Sequence, residues 1–181
     1  MKEEIPSQQM LDILHQSLKS SMMEQRKAWA KQIVNEGIEI KKLADIFLFS
    51  NNSSAMQFSW LLSDIGIYNA KALYSILSYL FEKREQTNVK DFRYQFVKYW
   101  SIAGIPKENE GEAINLLFRW LNDSSTSVSI KTHSALNLYK LSENYPDIKN
   151  ELKTCIENQL DKTSISFRKS TAKILANLRY K

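Results

Sequence analysis

The sequence predicts an all-α chain of about five antiparallel helix pairs, and three observations predict it. Apolar residues recur at helical spacing, i, i+3, i+4, i+7 and i+8, through almost every segment. Gly and Pro are scarce, four and three among 181 residues, and strands joined by tight turns need them. Two different helical templates also alternate along the chain at a period near that of two-helix repeats.

The first template, here called A, begins with a weak copy at Leu11, Leu14 and Leu18. It returns at Ile40, Leu43, Ala44, Phe47 and Leu48, and again at Leu73, Ile76, Leu77, Leu80 and Phe81. The fourth copy is Ala113, Leu116, Leu117, Trp120 and Leu121, and the fifth is Leu152, Cys155, Ile156, Gln159 and Leu160. The second template, B, starts at Arg26, Ala55, Arg93, Lys131 and Arg168. Four positions on, every copy is small: Ala30, Ser59, Val97, Ala135 and Ala172. Seven positions on, every copy is bulky: Ile33, Leu62, Trp100, Leu138 and Leu175. A small residue beside a bulky one lets two helices approach closely and still fill the gap. Successive B starts are 29, 38, 38 and 37 residues apart, so the first repeat reads as clipped, as terminal repeats often are.

Punctuation follows the same frame. Gly37 and Gly66 stand where the first two B helices are expected to stop, Gly104 with Pro106 ends the third, and Tyr145-Pro146 ends the fourth. Ser53/Ser54, Asn88, Asp123–Ser127 and Asp161–Ser164 offer side-chain oxygens for helix starts. No linker-like stretch divides the chain, so residues 1–6 are expected as a flexible N-terminus and 7–181 as a single repeat domain.

Composition narrows the function classes. A single cysteine, Cys155, excludes an intrachain disulfide framework and any cysteine-rich zinc site. The start, MKEEIPSQQMLDIL, lacks the apolar run of a secretory signal, and no stretch reaches the ~18 apolar residues of a membrane span. The cytoplasm is the expected address. A net charge of +5 leans mildly towards anionic partners.

From Leu116 to Leu178 the residues resemble HEAT repeats: LLFRWLND, VSIKTHSALNLYKL, ELKTCIENQLD and ISFRKSTAKILANL. The stretches RKAWAKQIV and SAMQFSWLLSDIG are similar to those of small bacterial HEAT-like proteins. The resemblance implies a right-handed α-α superhelix of the HEAT/ARM-like kind, in which the B helices line the concave side. It also implies that Asp123 with Lys131, and Asp161 with Arg168, form hydrogen-bonded rows between repeats. The N-terminal copies depart from that pattern, since Ala55 replaces the base.

The sequence carries no phosphate-binding Gly loop, no nucleophile elbow and no metal-ligand spacing, so no catalytic residue, cofactor or metal is expected. His15 falls on a core stripe and His133 on an outward face. Trp29, Trp100 and Trp120 fall on core positions, whereas Trp60 points outward. Reading the outward arc of the B helices gives a candidate groove of Lys27, Lys31, Trp60, Asp64, Tyr94, Lys98, His133, Lys140, Lys169 and Lys173. These features suggest a non-enzymatic protein–protein interaction scaffold that takes an acidic or extended segment of a partner protein. Two alternatives stand beside it. One is a DNA-binding protein resembling the HEAT-like alkylpurine DNA glycosylases, with Trp60, Asp64 and Tyr94 in the site. The other is a structural subunit of a larger assembly.

Overall fold

The computed structural model describes residues 6–50 and 53–179. Of the segment 1–6, expected as a flexible N-terminus, only Pro6 belongs to the described residues, and it opens the first helix. The described residues form ten α-helices, and none of them is in a strand. The chain falls into two compact units, residues 1–106 and 107–181.

In the first unit α1 spans Pro6–Ser17, α2 Met23–Asn35, α3 Ile40–Phe47, α4 Ala55–Tyr68, α5 Ala70–Glu82 and α6 Arg93–Ala103. Helices α1, α3 and α5 carry the A template; α2, α4 and α6 carry the B template. Helix α4 is the hub: it packs against α2, α6, α3 and α5. In the second unit α7 spans Glu110–Asn122, α8 Val128–Leu141, α9 Ile148–Gln159 and α10 Ile165–Arg179. Here α8 packs against α7, α9 and α10, and α7 against α9. Within each unit, therefore, B helices stack on B helices.

The template explains the packing. The five bulky B positions, Ile33, Leu62, Trp100, Leu138 and Leu175, are all buried, and each is worth about 1.5–3 kcal/mol relative to exposure. The small residues Ala30, Ser59, Val97 and Ala135 are fully enclosed. At Ser59 the reason is visible, because the small side chain lets Tyr99 of α6 donate its hydroxyl proton to the Ser59 carbonyl at 2.7 Å. Burial pushes the Tyr99 pKa well above its ordinary value, so this seam stays protonated and bonded. Beside it Trp100 closes an aromatic cluster with Phe81 and Phe96, their ring centroids 5.5 Å from its own.

The structure corrects several expectations. Ala172 is exposed, unlike its four counterparts. Gly66 lies inside α4, which runs on to Tyr68. A Cβ on Gly66 would stand 2.4 Å from Leu73 Cδ2 and 3.1 Å from Ile102 Cγ2, so this glycine serves close helix packing. The helix ends at Asn69, whose side chain accepts from the Ala72 amide at 3.2 Å and starts α5. Gly37 and Gly104 do follow their helices, with φ of 65° and 91°, values that favour glycine. Asn88 does not cap a helix, because α6 starts after Phe92. His15 is exposed, its ring centroid 4.9 Å from that of Phe47.

The implied Asp–base rows take a different form. The Asp123 carboxylate accepts from the Ser125 amide at 2.8 Å and from the Thr126 hydroxyl at 3.2 Å, shaping the turn before α8. Lys131 is buried and donates to Gln159 at 2.7 Å, tying α8 to α9. Burial lowers its pKa, with Asp123 opposing that shift through space. Arg168 is exposed.

Candidate functional site

The residues expected to line one groove fall into two groups, one in each unit. Lys27, Lys31, Trp60, Asp64, Tyr94 and Lys98 belong to the first, and His133, Lys140, Lys169 and Lys173 to the second. In the second unit Lys140, Lys169 and Lys173 are exposed and His133 is half-buried. Among the described residues of this unit, no large aromatic is exposed.

The first group is more concentrated. On α4, Trp60, Asp64, Ile67 and Tyr68 follow the i, i+4, i+7, i+8 spacing of one helix face. On α2, Glu24, Lys27, Ala28 and Lys31 stand at i, i+3, i+4 and i+7, again one helix face. The pairing of α2 with α4 sets these two stripes side by side, with an open cleft of about 490 Å³ between them. Ala28, Ile67 and Tyr68 give it an apolar lining, and Lys27, Lys31, Glu24 and Asp64 a charged one. Trp60, Ile67 and Tyr68 are 39%, 67% and 44% exposed, unusual for such large apolar side chains on neighbouring turns.

The polar geometry fixes these groups in place. Arg26 Nε donates to Asp64 Oδ2 at 3.3 Å, and its Nη1 donates to the Ser21 carbonyl at 3.1 Å. The same guanidinium lies over the Trp60 ring, 5.2 Å from its centroid, a cation–π contact that holds the indole against the helix pair. At the other end of the cleft Tyr68 donates to Asn35 Oδ1 at 3.0 Å, and Lys31 Nζ stands 6.0 Å from the Tyr68 ring centroid. Lys27 pairs with Glu24 at 2.9 Å on the exposed rim. Burial raises the Asp64 pKa; Arg26, Lys98 and Lys27 pull it back in part. Four cations thus stand around two carboxylates. Lys98 and Tyr94 themselves are half-buried on α6.

Arg26, Ala28, Ile67 and Tyr68 were missing from the outward arc read from sequence. Ile67 and Tyr68 drop out if α4 stops at Gly66. The Trp60–Asp64–Ile67–Tyr68 spacing, followed past that glycine, brings them in.

Cys155 is buried, Asn122 donates to its sulfur at 3.2 Å, and burial pushes its thiol pKa up. That environment opposes thiolate formation. A second cleft of about 470 Å³, by Gly37, Lys41, Asn69 and Lys71, contains no aromatic side chain. Among the described residues there is no cluster of His, Cys, Asp or Glu suited to a metal ion, and no helix is long and apolar enough to cross a membrane.

No family model matches the chain, and no curated protein or solved structure matches it either.

Proposed function

We propose that this chain is a non-enzymatic protein-interaction module built of HEAT-like helix pairs, with the α2–α4 face of the first unit as its binding surface. One observation carries the reading. Trp60, Ile67 and Tyr68 stay exposed in a row on α4, beside Lys27 and Lys31 of α2, while most of the rest of α4 is buried. Aromatic and arginine side chains at the centre of a rigid patch are the groups that dominate binding energy in protein interfaces. B-on-B stacking in each unit supports the HEAT-like part of the proposal; a right-handed superhelix and a cytoplasmic setting belong to the same reading. It invokes no cofactor.

The reading gives Asp64 a structural part. One of its carboxylate oxygens accepts from Arg26 Nε at 3.3 Å, which ties Asp64 to α2, whereas a glycosylase-like site would need that acid turned towards a substrate.

The test is capture of partners from the native cell by immobilised protein. The doubly charge-reversed variant Lys27→Glu/Lys31→Glu, folded by circular dichroism, is expected to lose the partners that wild type retains. Lys71→Glu, on exposed surface of α5, is expected to keep them. Unchanged capture by the α2 variant, with loss in Lys71→Glu, would place the binding surface on the A side and refute the proposal.

A further inference from the structure

Resting on that reading, we infer that the α2–α4 cleft takes an acidic segment of a partner protein, which inserts one large apolar side chain between Ala28, Ile67 and Tyr68. Two independent properties of the cleft lead there. The first is shape and polarity: an open cavity of about 490 Å³ has an apolar lining from two neighbouring helices, with Tyr68 braced by its bond to Asn35. A held aromatic wall loses little side-chain freedom on binding, which favours a single anchor residue.

The second is charge. Arg26, Lys27, Lys31 and Lys98 surround Glu24 and Asp64, and Arg26 already answers Asp64. Lys27 and Lys31 lie one helical turn apart on the cleft wall and are both exposed. Lys27 can exchange its solvent-exposed Glu24 partner for a ligand carboxylate at small cost, since rim ion pairs contribute little. Lys31 has a tyrosine ring 6.0 Å away. A carboxylate arriving at this position would meet two ammonium groups, whereas an apolar peptide without acids would bring them no counter-charge. Charge of this kind chooses among partners and speeds encounter. A phosphate backbone would also answer the lysines. It would present no apolar side chain to Ile67 and Tyr68.

The probe is a phage-displayed library of random dodecapeptides, selected on the intact protein and counter-selected on Lys27→Glu/Lys31→Glu and on Ile67→Asp. Selected peptides are expected to carry Phe, Trp, Leu or Ile with Asp or Glu within four positions. As fluorescein-labelled synthetic peptides they should lose at least tenfold in affinity when the apolar residue becomes Ala, and again when the acids become Lys. The lysine-substituted peptides should bind Lys27→Glu/Lys31→Glu better than wild type. Peptides without acids, peptides that bind the variants unchanged, or no selection at all would overturn the inference. So would a labelled oligothymidine that binds more tightly than the peptides, with a steep salt dependence. Loss of native partners in the α2 variant alongside a failed peptide selection would sink the acidic-anchor inference alone. Unchanged native capture by that variant would sink the proposed surface with it.

Discussion

Arg26 Nε stands 3.3 Å from Asp64 Oδ2 and joins α2 to α4 through two side chains that retain only 11% and 12% of their exposure. Removing one member strands the other away from water. Arg26→Met is expected to destabilise the protein by about 3 kcal/mol, the range for breaking a buried pair. Arg26→Met/Asp64→Leu, which removes both charges, should recover most of that loss. Urea melts of the two variants check it; equal destabilisation would mean that the pair is not coupled.

Asp64 also gives a pH signature. Burial raises its folded pKa above the ordinary 3.8 even with Arg26 beside it. The folded state therefore binds this proton more tightly than the unfolded chain does. Relative to Asp64→Asn, wild-type stability should improve as pH falls through the raised folded value towards 3.8. Asp45 runs the other way. Burial tends to raise its pKa, but hydrogen bonds from Lys83 and Tyr79 outweigh this and lower it. Its stabilisation is complete above 3.8 and is lost as pH falls through the depressed folded value. Asp45→Asn should accordingly flatten the acid limb of the stability curve below 3.8. Melts across pH 2.5–7 read both signs.

Two glycines should respond in opposite directions to alanine. At Gly66 a Cβ would sit 2.4 Å from Leu73 Cδ2, and overpacking of this kind costs about 1–3 kcal/mol. Gly111, in the first turn of α7, has nothing within 4 Å of its would-be Cβ. Gly111→Ala should gain roughly 0.5 kcal/mol from helix propensity. Thermal melts of the two variants decide whether space or propensity governs each site.

The repeat was legible where a template position faces the same kind of neighbour each time. The bulky B row from Ile33 to Leu175 is buried throughout because each of these residues faces its own unit's core. The small row was legible only through Ala135. Ala135 is enclosed on α8, which has α7, α9 and α10 packed against it, whereas Ala172 of α10 is open among the described residues. Periodicity records which face a residue occupies, and not whether a neighbour covers it. The same limit applies to the site. Lys27, Lys31, Trp60 and Asp64 were found by phase on their helices, but the Arg26–Asp64 pair spans 38 residues and has no local signature. Ile67 and Tyr68 were hidden by a glycine that reads as a helix stop and packs as a close contact.

That difference between Ala135 and Ala172 is measurable. Ala135→Leu, in an enclosed seam, is expected to cost about 1–3 kcal/mol. Ala172→Leu, on open surface, should stay within roughly ±0.5 kcal/mol. Equal losses in urea melts would show that α10 is covered in solution on the face the structure leaves open.

The claim that the α2–α4 face binds another protein is tested most directly by site-specific photo-cross-linking in the native cell. A photoreactive residue in place of Ile67, at the cleft, is compared with one in place of Tyr74, another exposed position, on α5. The account predicts a discrete cross-linked protein adduct at position 67 that disappears when Lys27→Glu/Lys31→Glu is added, and none at position 74. An adduct at 74 with none at 67, or one at 67 that survives the charge reversal, would contradict it.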